Sequence, residues 1–316
     1  MRNYILRRLL ILPPMLVAMS LILFLFLWVR PGSAAFASIG SIGDFHGEIE
    51  VFEKELGLDR PWYVQYVDWA WHAIQGDFGV GLTPPREAVG PQIAERIGNT
   101  IEISLLSIII GAVVGIPVGL ISAVKRNTPI DYVLRLITIA GISVPGFWLA
   151  TLLLTLPAIW WSWTPLSRDY VTFTENPVKN LSIVIWPALV IAYGGAAYTA
   201  RIVRSSMLEV FYTDYVRTAR AKGLRERVVI LQHVFRNSLV TLLTVIGLQL
   251  AGILGGAVIA EQIFAIPGLG LLTYQAILAQ DYPVVLATVM IFSFMFLIIN
   301  LLVDLLYTVV DPRIRY

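Results

Sequence analysis

The 316-residue chain has no cysteine and only three histidines, His46, His72 and His233. Without thiols there can be no disulfide framework, no cysteine zinc site and no thiol nucleophile. All three histidines fall outside the long apolar runs, so an intramembrane hydrolase would have no imidazole base inside its bundle. Charge is scarce too, at 14% of residues. No charged residue stands at the middle of an apolar run. Glu102, Glu261 and Asp281 fall near one edge of the runs, and Arg135, Arg201 and Asp304 near the other. Ion-coupled carriers generally need buried carboxylates or unwound polar helices. The sequence contains no GxSxG, no HExxH and no potassium-type filter. It also has no GxxxxGK[ST] loop, and the Lys222–Gly223 pair lacks the glycine spacing of a phosphate cradle. If ATP drives this protein, another chain binds it.

What remains is hydrophobic. Apolar residues make up 57% of the chain, and the mean hydropathy is +0.76. That is the composition of a polytopic membrane protein. Runs of about 20 residues cross the hydrocarbon core as helices. Six spans are expected, near 9–29, 100–124, 132–160, 183–203, 238–260 and 285–309. The third is overlong and is expected to tilt or overrun the bilayer. The fourth reads as the weakest, interrupted by Pro187 and the Gly194–Gly195 pair.

Charge orients these spans. Segments 1–8, 125–135, 201–236 and 310–316 carry 16 of the 23 Lys and Arg, and that side is net +10 against −8 opposite. The basic side is expected to be cytoplasmic, with both termini facing in. The first span could alternatively be a signal peptide, with Met1–Arg8 as the basic region and Ser33–Ser38 offering small residues for cleavage. Its apolar run from Leu9 to Val29 exceeds the usual length of about 7–15 residues, so it reads as an uncleaved anchor.

The largest external piece is 30–99. Within it Trp62, Tyr66 and Trp69 fall on one helical face, which suits an aromatic belt at the lipid interface or a contact surface for a soluble partner. The second span carries Gly111, Gly115 and Gly119, a ladder that lets helices approach closely in lipid, with Pro117 expected to kink it. Ser143-Val144-Pro145-Gly146 offers another break, and Gly247, Gly252, Gly255 and Gly256 thin the fifth span.

Residues 209–237, EVFYTDYVRTARAKGLRERVVILQHVFRN, form a basic amphipathic stretch between long apolar runs. It carries too many arginines to cross the bilayer and must lie outside it, tethered on both sides. Asp214 is expected to cap a helix from Tyr215 to Lys222, ended by a left-handed Gly223. A second helix follows, with Val228, Leu231, Val234 and Phe235 on one side, and Asn237 and Ser238 are expected to cap the fifth span. On composition alone, the arginines could enforce topology, meet anionic lipid or dock a protein. A nucleic-acid helix-turn-helix does not suit the membrane setting.

Asp214–Gly223 (DYVRTARAKG) with His233–Ser238 (HVFRNS) resembles the cytoplasmic coupling motif of permease subunits of peptide-type ABC importers. The general importer motif is Glu-Ala-Ala, three residues, then Gly. With Gly223 on its glycine, Arg217, Thr218 and Ala219 fall on the triplet, and Arg236 stands where many importers have proline. The departures resemble the peptide-family variant. Leu56–Gln65 with Gly76–Gly79, then Gly255–Gly270, Asp281-Tyr282-Pro283 and Asn300–Tyr316 resemble the same family in the same order.

The resemblance implies an all-α type I ABC permease with six spans, in the inner or plasma membrane of a prokaryote. It implies residues 1–99 as an N-terminal anchor plus external segment, and 100–316 as the core transmembrane domain. Implied partners are a second, similar permease, two ATPase subunits that hold ATP and Mg, and an external substrate-binding protein. This chain would bind no cofactor or metal and carry no catalysis. Asp214, Arg217, Thr218, Ala219, Arg220, Ala221, Lys222, Gly223 and Leu224 would couple to an ATPase. Gly252, Gly255, Gly256, Glu261, Ile266, Pro267 and Gly268 would border an outer gate. Glu48, Glu50, Glu53, Glu55, Trp62 and Tyr66 would meet the binding protein. Peptide is the expected substrate, with oligosaccharide, nickel or glutathione as alternatives within the class. A secondary transporter or channel working alone, or an intramembrane enzyme, are the alternatives outside it.

Overall fold

The computed structural model describes residues 2–28, 60–164 and 170–310. Among them the secondary structure is helical, apart from a single bridge between Val80 and Ala88. In chain order the helices are α1 (Arg2–Trp28), α2 (Trp62–Ile74), α3 (Val89–Val124), α4 (Pro129–Ser143), α5 (Gly146–Trp161) and α6 (Pro177–Phe211). Then come α7 (Asp214–Ala221), the short α8 (Glu226–Val228), a π-helical stretch (Val229–Phe235), α9 (Arg236–Phe264), α10 (Leu269–Leu278) and α11 (Tyr282–Val310). Among the described residues four helices are long and apolar enough to cross a membrane, or up to six if each bent pair is one span. The pairs are Pro129–Ser143 with Gly146–Trp161, and Gly252–Phe264 with Leu269–Leu278. In lipid the backbone must satisfy its own hydrogen bonds, which is why apolar sequence of this length becomes helix.

Two sequence expectations change here. The third span is not one tilted helix. α4 and α5 meet at 96°, because Val144 before Pro145 takes an extended conformation (φ −81, ψ 122). A proline disfavours helical geometry in the residue before it. The fourth span, expected to be the weakest, is the unbroken 35-residue α6. It starts on Pro177, with the Asn176 side chain accepting from the Lys179 N–H at 3.0 Å. It runs through Pro187, and α3 likewise runs through Pro117. In a membrane bundle, neighbouring groups can re-satisfy what a proline frees.

The chain divides into two compact units. The first takes in Ile101–Ile266 and the part of α11 from Ile299. The second takes in Arg2–Thr100 and Pro267–Ile298.

In the first unit α6 is the axis, packed by α4, α5 and α9. The glycine ladder of α3 lies against it. A Cβ on Gly115 would fall 2.6 Å from the Ala196 carbonyl oxygen, and one on Gly119 would fall 2.5 Å from that of Ala200. Backbones this close gain van der Waals contact where lipid supplies no hydrophobic drive. Gly247 plays the same part on α9, where an added Cβ would collide with the Val303 side chain. Gly252 and Gly255 do not: among the described residues a Cβ on either would meet nothing within 4 Å, and one on Gly256 would meet only Ile191 at 3.7 Å. Close packing on α9 thus falls at one expected glycine and not at the following cluster.

In the second unit Val89, Ile93, Leu269, Leu272, Val284 and Val285 form the buried cluster. The buried Asp281 carboxylate accepts from Thr83 N–H at 3.0 Å and Thr83 Oγ1 at 2.8 Å. Asn99 Nδ2 donates to Pro267 O at 2.7 Å, and Leu269 N–H donates to Thr100 Oγ1 at 2.8 Å. These bonds fasten the start of α10 to the first turns of α3.

Candidate functional site

Val216, Ala219, Val229 and Val234 are buried together with Val203, Met207, Ala123 and Leu242. This cluster seats α7 and the π-helical stretch on the ends of the long helices. The segment carries water-facing charge, so the hydrophobic effect acts here, and full burial of a valine stabilises by about 1.5–3 kcal/mol. The remaining faces of α7 are exposed: Asp214, Arg217, Thr218, Arg220 and Ala221, then Lys222, Gly223 and Leu224 beyond its end.

The turn that closes α7 is specified by one residue. Gly223 has φ +74. Its N–H bonds to Arg220 O at 2.9 Å, and the Leu224 N–H reaches back to Ala219 O at 3.4 Å. That pair of bonds satisfies the last carbonyls of the helix and needs a left-handed residue between them. Across the turn Arg220 and Glu226 make a two-bond ion pair, and the Arg220 guanidinium lies 5.7 Å from the Phe211 ring centre. Arg220 holds the Glu226 carboxyl below its ordinary range, with partial burial opposing it. The Glu226 carboxylate in turn raises Arg220. Arg217 pairs with Asp214 at 3.4 Å, both well exposed, and such a pair contributes little.

Four expectations are corrected in this segment. Asp214 does not cap α7. It occupies the first turn, where its charge meets the positive helix end. Thr213 is the capping residue, and its hydroxyl bonds Val210 O instead of the helix. Ala219 faces inward, so it anchors the helix and cannot meet a partner. The second helix buries Val229 and Val234 and leaves Leu231 exposed, because π geometry bonds i to i+5 and shifts the inward register. Asn237 and Ser238 do not cap a span, since the chain passes from π-helix into α9 without a break. Asn237 Nδ2 donates to Tyr215 Oη at 2.7 Å and His233 O at 2.9 Å, pinning α7 to the π stretch.

The expected gate residues are placed differently from their sequence reading. Glu261 is wholly buried. α9 ends at Ala265, which is left-handed at φ 53, with Ile266 N–H bonded to Glu261 O at 2.9 Å. Ile266 is buried with Phe264, Ile103, Ala150 and Val184 in the first unit. The nearby Tyr170 hydroxyl is pushed up to about 12, by burial first and then by the negative charge of Glu102 and Glu261. In the second unit, Gly268 precedes α10 in extended conformation.

Of the expected docking residues, Glu48, Glu50, Glu53 and Glu55 lie outside the described residues. Trp62 is partly exposed at the start of α2. Tyr66 turns towards α1, its hydroxyl 2.9 Å from Ser20 Oγ and its ring edge-on to Phe24 at 5.5 Å. These contacts hold α2 against α1.

Sequence reasoning missed the buried ion pair between Asp131 at the start of α4 and Arg204 on α6. The available signal was an arginine seven residues before the end of an apolar helix, which charge counting had assigned to topology alone.

Two family models match the sequence. The binding-protein-dependent transport system inner membrane component matches residues 115–316. The N-terminal model of a binding-protein-dependent transport system membrane component matches residues 1–83. A protein named as a peptide transport system permease in Brucella abortus (strain 2308) is 42% identical over 96% of this chain and 96% of its own. The dipeptide transport system permease protein DppB of Escherichia coli (strain K12) is 37% identical over 100% of this chain and 99% of its own. Among solved structures, an inward-facing MetNI methionine ABC transporter matches with TM-score 0.58 and 18% identity, covering 69% of this chain and 96% of that one. An amino acid ABC transporter matches with TM-score 0.53 and 16% identity, covering 69% and 93%. At such identities the structural likeness speaks to fold.

Proposed function

The chain belongs to the binding-protein-dependent transport system inner membrane component family, and on that premise we propose that α7 and its Gly223 turn are where an ATPase subunit grips this permease. The protein is a membrane-embedded transport component of an ABC importer, and ATP hydrolysis belongs to a separate subunit. One observation carries the docking reading. α7 buries only Val216 and Ala219 and presents Arg217, Thr218 and Ala221 outward, with Lys222 exposed just past its end, beside a turn where a Cβ built on Gly223 would meet nothing within 4 Å among the described residues.

The partner set follows from the same reading: a second homologous permease, two ATPase subunits that bind ATP and Mg, and an external binding protein. The basic face is cytoplasmic and both termini are inside, supported by the net +10 against −8 across the spans. The transported substrate is a di- or oligopeptide, supported by the peptide and dipeptide names of relatives that align along nearly the whole chain. Transport proceeds by alternating access, with ATP-driven closure of the ATPases moving α7. The acidic stretch with Glu48, Glu50, Glu53 and Glu55 steers the binding protein, and such steering weakens as salt rises.

The test is co-purification of the permease pair with its ATPases, followed by ATP hydrolysis with and without liganded binding protein. Stimulation lost on altering Arg217 and Lys222 together, with insertion unchanged, supports docking at α7. Stimulation left at the wild-type level overturns it. The ligand of the cognate binding protein decides the substrate: a peptide supports the reading, and a sugar or metal ion replaces it.

A further inference from the structure

Four donors converge on the carboxylate of Asp131, which is fully buried. Ser122 Oγ donates from the end of α3 at 2.6 Å, and the Asn127 N–H donates from the α3–α4 turn at 3.0 Å. Arg204 Nε and Nη2, from α6, each donate at 2.9 Å. One side chain therefore ties the ends of three helices. Arg126, in the same turn, bonds the Tyr212 hydroxyl and lies 5.6 Å from its ring centre. Tyr212 directly follows α6, and α7 begins two residues later.

Stability alone is a weak account of such a pair, since exchanging a buried ion pair for apolar residues is commonly neutral or stabilising. What a two-bond guanidinium–carboxylate contact supplies is orientation. It fixes the start of α4 on α6 in both distance and rotation. Further along, a Cβ on Gly141 of α4 would fall 2.6 Å from Ala197 Cβ of α6, so the two helices are close-fitted there as well. Topology would be served by cations on this face and does not call for a buried carboxylate at 131.

We propose that Asp131 and Arg204 are positioning residues of the transport cycle, the joint through which displacement of α7 reaches α4 and its bent continuation α5. The inference rests on α7 being the docking helix. α6 runs unbroken to the turn before α7, so a push on α7 moves α6. The ion pair makes α4 follow.

The experiment uses the complete importer in proteoliposomes, with both permeases, the ATPases and the binding protein. It reads ATPase co-purification, stimulated hydrolysis and substrate taken up per ATP. Asp131→Asn preserves shape and removes the charge, while Arg204→Lys keeps the charge and loses the fork. In Asp131→Asn the ATPases should co-purify and hydrolysis persist, while uptake per ATP falls about tenfold, within the 5–150-fold span of ordinary site-to-site coupling. Arg204→Lys should fall between this and wild type. Unchanged uptake per ATP, or hydrolysis and uptake falling in parallel, overturns the joint.

Should either variant fail to assemble, a second measurement decides. This chain has no cysteine, so with the partner subunits made cysteine-free, spin labels at Leu136→Cys on α4 and Glu209→Cys on α6 report alone. Their separation should be the same in nucleotide-free and ATP-trapped complexes. A separation that changes between those states overturns the joint. Failure of the ATPases to engage α7 in otherwise wild-type protein would instead remove the docking reading beneath it.

Discussion

Arg220 grips Glu226 across the Gly223 turn, with Nη2 2.7 Å from Oε1 and Nε 3.2 Å from Oε2. The pair bridges the five residues 221–225, closing over a glycine that only backbone geometry demands. The clip and the turn together set the angle at which α7 meets the following helix.

The turn itself should be sensitive to backbone and indifferent to bulk. Among the described residues nothing lies within 4 Å of a Cβ built on Gly223. The cost of a side chain is then the left-handed conformation, about 1–2 kcal/mol for an ordinary residue and less for asparagine. Substrate-stimulated ATPase activity should fall in the order wild type, Gly223→Asn, Gly223→Val, with the spans still inserted. Full stimulation in the valine variant would show that the turn does not set docking.

The clip should also report pH. Arg220 lowers the Glu226 carboxyl below its ordinary 4.5. A depressed carboxyl contributes stability that is complete above the unfolded value and lost as pH falls through the folded one. Arg220 is raised further by the Glu226 carboxylate and stays charged throughout the acid range. Amide protection of Gly223 and Leu224, corrected for intrinsic exchange, should therefore hold through neutral pH and decline only once pH falls below the ordinary carboxylate range. Glu226→Gln should flatten that decline. Loss of protection between neutral pH and about 5 would assign the effect to another group.

The glycine ladder of α3 makes a graded prediction. Gly115→Ala and Gly119→Ala each place a methyl within 2.6 Å of a backbone oxygen on α6. The helices must part, at about 1–3 kcal/mol each. Gly111→Ala puts its methyl 3.7 Å from Ala196 N, an ordinary contact, and should shift stability by no more than about 0.5 kcal/mol. Thermal unfolding in one detergent compares the three. Equal effects at all three positions would refute the close approach.

Glu261 and Gln262 give a test of the gate. Glu261 is wholly buried and Gln262 exposed. A cysteine at 262 should react with an impermeant thiol reagent in the nucleotide-free state, and one at 261 should not. If the end of α9 moves in the cycle, ATP trapping should raise the reactivity of 261. Silence at 261 in both states would take that residue out of the gate.

Much of the fold was legible in one dimension, because hydropathy and charge partition are local properties. The places where it was not are specific. Pro187 and Gly194–Gly195 read as damage to a span, yet α6 is the axis of its unit. The small residues that weaken an isolated helix are what let neighbours pack on it in lipid. Ala219 read as a docking contact because small residues suit any close surface, and the sequence does not say which surface. The π-helical stretch shifted the buried face from Val228 and Leu231 to Val229, and no composition signals that insertion.

By itself the sequence determined a helical membrane protein, a basic segment outside the bilayer and a left-handed turn at Gly223. Each follows from properties of a few neighbouring residues: apolar length, charge and the steric freedom of glycine. Only the tertiary structure decided that Asp131 meets Arg204, 73 positions away, that α4 and α5 bend by 96°, and that Glu261 is buried. The pairing and the burial depend on which helix faces pack. The bend began as a proline signal at 145, and its angle is fixed by how the two helices settle on α6.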